Sequence, residues 1–217
     1  MKIYFFSGLG ANQRAFKNLK ISKDFEPVFI EWNLPERGES LDHYVQRFAD
    51  EINVNEDFAL VGLSFGGIIV QELNKYVNPE KTILISSVQN RKQMPMYMKL
   101  SSRTAAHRAI PMGFFTSDKL ISYAFFRKLY NPKMPSLDEF FTYKDPYYLR
   151  WSIDKIVNWR PSIEKINGLY QMHGTKDIVF PHKYLMNEVD LIQNGTHIMV
   201  LQKPTEVTKL LHQYLNK

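Results

Sequence analysis

The sequence predicts an α/β protein, a mainly parallel sheet of about six strands flanked by helices and carrying a helical insertion. Three observations lead there. Short apolar runs rich in β-branched and aromatic residues recur along the chain, and stretches with apolar residues at helical spacing separate them. The alternation breaks once, between Val88 and Pro161, in a segment too long for a plain loop. At 217 residues the chain can bury one sizeable core.

Taken in order, the strand runs are KIYFF (Lys2 to Phe6), PVFIEW (Pro27 to Trp32), FALVGL (Phe58 to Leu63), KTILISS (Lys81 to Ser87), GLYQMH (Gly168 to His173) and EVDLIQN (Glu188 to Asn194). Between the second and third runs, Leu41, Tyr44, Val45, Phe48 and Ile52 share one helical face, and Ser40 is placed to cap that helix. The last helix opens at Pro204, a residue favoured in a first turn, and Val207, Leu210, Leu211, Tyr214 and Leu215 form its apolar stripe. The interrupting segment carries helix signals of its own. Ser136-x-x-Glu139 has the form of a capping box, Ile121, Phe125 and Leu129 share a face, and Pro146 stands where a helix through Leu149, Ile153, Ile156 and Val157 would begin. Residues 1–87 and 162–217 are therefore expected to form the core domain, with 88–161 inserted in it.

With 44% apolar and 23% charged residues the composition is that of an ordinary globular protein. No apolar run reaches the roughly 18 residues of a membrane span, and the opening MKIYFFSGLG reads as a strand rather than a signal-peptide core. The absence of cysteine removes disulfides, thiolate nucleophiles and cysteine metal sites, and fits a reducing compartment. The expectation is a cytoplasmic protein. The net charge of +6 is uneven: residues 91–160 hold 13 Lys and Arg against 5 Asp and Glu, whereas the rest holds 15 basic and 17 acidic residues.

One stretch carries chemistry. Gly62-Leu-Ser-Phe-Gly66 satisfies G-x-S-x-G between a buried strand and the helical pattern GGIIVQELNKYV, the setting that motif requires. Glycines on both sides allow strand and helix to approach around a strained serine. A lone hydroxyl needs a base, itself oriented by a third group. Of the six histidines, His197 in QNGTHIMVLQKP lies just beyond the last strand. His43 and His212 sit on helix surfaces, His107 lies in the insertion, His182 follows Pro181 at a helix start, and His173 closes a strand. Asp177, in the Gly-containing turn of HGTKD, follows the preceding strand, although an aspartate there can also simply bond its own backbone. Ser64, Asp177 and His197 thus follow the carboxyl ends of three strands, where open α/β sheets place their sites. Two backbone N–H groups must stabilise the developing oxyanion; Phe65 supplies one, and Leu9 in the loop FFSGLGANQRAF is the candidate for the other. SGLGAN lacks both G-x-G-x-x-G and a phosphate-binding lysine, so it does not read as a nucleotide loop.

In SGLG (7–10), GLSFGG (62–67), HGTKD (173–177) and NGTHIMVLQKP (194–204) the chain resembles the α/β-hydrolase superfamily, in a compact form beginning at the oxyanion strand. The resemblance covers essentially everything outside the insertion and implies Ser64 as nucleophile, Asp177 as acid, His197 as base, and Leu9 and Phe65 as oxyanion donors. It also implies that 88–161 is a helical cap. Many members have His-Gly where this chain has Ser7-Gly8; since the hole uses backbone N–H groups, its geometry is expected to survive. Leu63 replaces the histidine or tyrosine often found before the serine, and epoxide-hydrolase or dehalogenase chemistry is disfavoured because related enzymes of those kinds place an aspartate at the Ser64 position.

The expected activity is hydrolysis of a carboxylic ester or thioester of a small to medium apolar acyl substrate, with no metal or organic cofactor. The alternatives are C–C hydrolysis, a lyase or amidase reaction on the same triad, or a non-catalytic ligand-binding protein. Residues 91–160 hold 14 of the 30 aromatic residues and 5 of the 9 methionines; packing of the insertion on the core is the plainer explanation, an apolar acyl or aryl pocket the sharper one. Its basic excess is either a solvated face or an attraction for an anionic substrate, an acidic carrier protein or an anionic membrane surface. No nucleic-acid recognition motif accompanies the charge, so no specific nucleic-acid role is expected.

Overall fold

The computed structural model describes residues 1–111, 113, 139–185 and 189–217. Its centre is one sheet of six parallel strands: β1 (Lys2–Phe6), β2 (Glu26–Ile30), β3 (Phe58–Leu63), β4 (Lys81–Ile85), β5 (Leu169–Gly174) and β6 (Asp190–Ile192), in the order β2-β1-β3-β4-β5-β6. All six predicted runs became strands, with ends moved by a few residues. KTILISS stops at Ile85 because Ser86 turns to φ 49°, and Trp32 lies beyond β2.

Among the described residues the helices are α1 (Leu41–Ala49), α2 (Phe65–Leu73), α3 (Met96–Thr104), α4 (Ala106–Ala109), α5 (Pro146–Asn158), α6 (Met199–Gln202) and α7 (Pro204–Leu215). Ser40 caps α1 by accepting the His43 N–H at 3.0 Å. Pro146 opens α5, and Asp145 accepts the N–H groups of Tyr147 and Tyr148 at 2.8 and 2.9 Å. The capping serine Ser136 and the Ile121, Phe125 and Leu129 face lie outside the described residues.

Successive side chains of a strand point to opposite faces, and β1 sorts accordingly. Tyr4 and Phe6 join Leu60 and Leu84 in a core with α1, α2 and α5; Ile3 and Phe5 join Val61, Ile83 and Met172 in a second core with α6 and α7. Helices thus cover both faces of the sheet, as a parallel sheet requires. The strands all deliver their carboxyl ends to one edge. Ser64, Asp177 and His197 follow the ends of β3, β5 and β6 on that edge.

Candidate active site

Ser64 joins β3 to α2 with φ 54° and ψ −113°, a conformation outside the regions an L-residue favours. The turn is possible because its neighbours have no side chain. A Cβ on Gly62 would stand 2.4 Å from the Gly66 backbone, and one on Gly66 would stand 2.3 Å from the Phe6 carbonyl oxygen. Ser64 N–H donates to Ile85 O at 2.9 Å, Gly66 N–H donates to Ser7 O at 3.1 Å, and Ser87 Oγ donates to Ser64 O at 2.7 Å, so the turn is fastened to both neighbouring strands.

A serine at a helix N-cap ordinarily bonds the first-turn N–H groups. Ser64 makes no such bond. Its Oγ lies instead 2.8 Å from His197 Nε2, and His197 Nδ1 lies 2.8 Å from Asp177 Oδ2. The three residues that the sequence singled out are therefore brought into one hydrogen-bonded chain. Asp177 and His197 are buried, while Ser64 is partly exposed.

The loops that carry the acid and the histidine brace each other. Lys176 N–H donates to Gly195 O at 2.8 Å, and Asn194 N–H donates to Thr175 Oγ1 at 2.8 Å. Asp177 makes both local and long-range contacts, one kind on each oxygen. Oδ1 accepts the local N–H groups of Val179 and Phe180 at 2.8 and 2.9 Å, while Oδ2 reaches His197. Burial alone would raise this carboxyl, but the charge of His197 and hydrogen bonds from His173 and His197 outweigh it and hold the group well below the usual carboxylate range.

The Gly8–Ala11 loop closes over the serine. A Cβ on Gly8 would lie 3.6 Å from Ser64 Cβ. Ser7 Oγ donates to Ala11 O at 2.6 Å, Trp32 Nε1 donates to Gly8 O at 3.1 Å, and Asn12 N–H donates to Phe140 O at 2.8 Å. Trp32 also stacks on Phe65, with centroids 5.3 Å apart. Among the described residues no hydrogen bond is donated by Leu9 N–H or Phe65 N–H. Phe65 opens α2, whose amino-terminal end favours negative charge.

Among the described residues no other histidine is hydrogen-bonded to Ser64. His43 contacts Glu39, His212 accepts the Ser22 N–H, and His182 starts a 3₁₀ turn after Pro181. His107 sits in a second Ser–His–Asp chain, with Nδ1 3.1 Å from Ser101 Oγ and Nε2 2.9 Å from Asp154 Oδ1. That serine lies within α3 and its Oγ already accepts the His107 N–H at 3.0 Å, so the chain braces α3, α4 and α5, and the positive φ between α3 and α4 falls on Ala105 and not on the serine. His173, a strand-end residue in the sequence, is fully buried near the end of β5, 3.0 Å from Asp177 Oδ2. Its position four residues before Asp177, at the end of the same strand, was the available signal.

Among the described residues one grouping has ligands close enough for a metal, Glu36, Glu39 and His43, but the Arg47 guanidinium is already on the Glu39 carboxylate at 3.1 Å. Described basic side chains of the 91–160 segment are partly engaged within it: Arg91 donates to Val157 O, Arg150 to Arg108 O, and Arg108 to Asp154. No helix among the described residues is long and apolar enough to cross a membrane.

No family model and no curated protein matches the chain by sequence. Solved structures match it along its length. A thermophilic esterase from Thermogutta terrifontis superposes with a TM-score of 0.69 at 13% identity, covering 100% of this chain and 89% of the esterase. A hydrolase from Pseudomonas aeruginosa PA01 gives 0.71 at 13% identity, covering 100% and 90%. An epoxide hydrolase of the α/β-hydrolase superfamily, from metagenomes of hot environments, gives 0.66 at 12% identity, covering 99% and 90%. A likeness this extensive at so low an identity is one of architecture, and the architecture of this protein is the α/β-hydrolase fold.

Proposed function

We propose that the protein is a serine hydrolase that cleaves a carboxylic ester or thioester of a small to medium apolar acyl group. The observation that carries this reading is Ser64 itself: an N-cap hydroxyl that does not cap, held in a strained turn 2.8 Å from a histidine nitrogen. A structural serine at a helix start has no need of that geometry.

In this reading His197 Nε2 takes the Ser64 proton as Oγ attacks the substrate carbonyl, then delivers it to the departing alcohol or thiol. Asp177 fixes the tautomer that presents a bare Nε2 to the serine and stabilises the imidazolium that follows. The N–H groups of Leu9 and Phe65 receive the oxyanion, and the α2 amino terminus adds favourable dipole. Water, activated by the same histidine, releases the acid. No metal or organic cofactor enters these steps.

Residues 88–161 act here as a cap over the core formed by 1–87 and 162–217. Its supports are Tyr97 Oη, which donates to Val179 O beside the Asp177 turn at 2.6 Å, and Tyr148 and Trp151, which join the aromatic cluster of Trp32 and Tyr44. The resemblance to solved structures called an esterase and a hydrolase also favours hydrolysis.

A panel of p-nitrophenyl esters and acyl thioesters from acetyl to octanoyl tests the proposal. Turnover preceded by a burst of one equivalent of the leaving group, lost by at least about a thousandfold in Ser64→Ala at unchanged melting temperature, is the expected result. Ligand binding without turnover, equal in wild type and Ser64→Ala, would replace it with the binding-protein reading. Turnover confined to amides or C–C bonds would keep the triad and change the reaction.

A further inference from the structure

Asp177 holds more donors than orienting one histidine requires. Besides the Val179 and Phe180 N–H groups on Oδ1, its Oδ2 lies 2.8 Å from His197 Nδ1 and 3.0 Å from His173 Nε2. Two imidazoles therefore converge on one carboxylate oxygen.

The proton on His173 can be located by elimination. His173 Nε2 also lies 2.7 Å from the Phe180 carbonyl oxygen, and a carbonyl only accepts. Nε2 thus carries the hydrogen, which is directed at Phe180 O, while Asp177 Oδ2 lies 3.0 Å from the same nitrogen. The other nitrogen, Nδ1, is buried with no hydrogen-bond partner. On stability alone this is a poor residue for the end of a buried strand, since a leucine or methionine would leave no polar atom unpaired. What His173 supplies is the contact at Nε2.

That contact closes a ring of four residues. Phe180 N–H donates to Asp177, its carbonyl accepts from His173, and its phenyl ring packs 5.7 Å from the His197 imidazole. His173 therefore holds both the carboxylate that orients His197 and the backbone of the residue that flanks it. We propose that His173 is a positioning residue for the Asp177–His197 pair, its Nε2–H fixing the carboxylate so that Oδ2 faces His197 Nδ1. This rests on the reading of Ser64, Asp177 and His197 as a catalytic array, and it acts through Asp177 without touching substrate.

The test compares wild type with His173→Phe, which keeps a ring and removes the donor, and His173→Gln, whose amide N–H reaches the Nε2 position. The readouts are kcat and KM on p-nitrophenyl acetate, melting temperature, and the low-field proton resonance of His197 Nδ1–H, identified by its loss in His197→Ala. In His173→Phe, kcat is expected to fall by about ten- to a hundredfold with KM within about twofold, and the low-field signal to shift or broaden. His173→Gln should recover most of both.

A His173→Phe protein with wild-type kcat and an unmoved signal overturns the inference. So does a kcat loss that His173→Gln leaves unrestored while folding is intact. Should His173→Phe fail to fold, ¹⁵N spectra of the wild-type imidazoles decide instead: His173 protonated at Nδ1 rather than Nε2 overturns the assignment, and Nε2–H supports it. A low-field signal that depends on His173, in a protein with no turnover and no reactive serine, supports the positioning role and rejects the hydrolase reading, so the two fail separately.

Discussion

Ser64 is held at φ 54° by packing rather than by its own preference, and conformations of that kind cost about 1–3 kcal/mol. The surrounding backbone over-determines it. Gly66 is the tightest point, where an added Cβ would meet Phe6 O at 2.3 Å and Ser7 O at 2.5 Å, both backbone atoms of β1 and the loop after it. Gly66→Ala is therefore expected to lower stability by about 3 kcal/mol, measured as a drop in the urea midpoint. The clash would push α2 away from the Gly8–Ala11 loop, so activity per folded molecule should fall as well. Gly38 is the internal control: a Cβ there would meet nothing within 4 Å, and although its φ of 74° strains alanine, the site geometry should be untouched.

At the scale of elements, the buried carboxylate of Glu72 on α2 ties down the chain that leaves α5. It accepts from Trp159 Nε1 at 2.8 Å, from Ser162 N–H at 3.1 Å and from Ser162 Oγ at 2.5 Å. Glu72→Ala would strand these donors in a buried place and should cost about 3 kcal/mol by urea denaturation, whereas Glu72→Gln, which keeps an acceptor oxygen, should cost less. The elements themselves were legible. Short apolar runs, the Ser40 cap and the Pro146 start all announce local physics, and local physics decides them. Glu72 was not legible, because it reads as one polar residue on a helix until Trp159 and Ser162 fold onto it. The same holds for His173: its place at a strand end was readable, but its proximity to Asp177 depends on the turn that folds Phe180 back. The order Ser64, Asp177, His197 was legible because the fold delivers strand ends to one edge, and the sequence marks strand ends with glycine.

At the scale of the whole molecule, several of the described carboxyls are held low in the folded state, and two of them face histidines within Ser–His–Asp chains. Asp177 is held low by His197 and His173 against its burial, and Asp154 is held low by His107 and Arg108 against its burial. A folded-state value below the unfolded one, near about 3.9 for aspartate, gives stability that is complete above that pH and is lost as pH falls toward the folded value. Urea midpoints should therefore be insensitive to these two groups down to roughly pH 5 and fall below roughly pH 4, with a shallower fall in Asp177→Asn. Asp177 stays ionised near neutral pH, so any loss of activity on mild acidification cannot come from protonating it.

The measurement that bears most directly on the central claim is covalent labelling of the folded protein by a fluorophosphonate, with the modified residue located by mass spectrometry. The account predicts a single modification at Ser64, absent from Ser64→Ala and from His197→Ala. It predicts none at Ser101, the serine of the second chain, which sits inside a helix. Labelling spread over several serines, or folded wild type that stays unlabelled by a small probe, would contradict an activated nucleophile at Ser64.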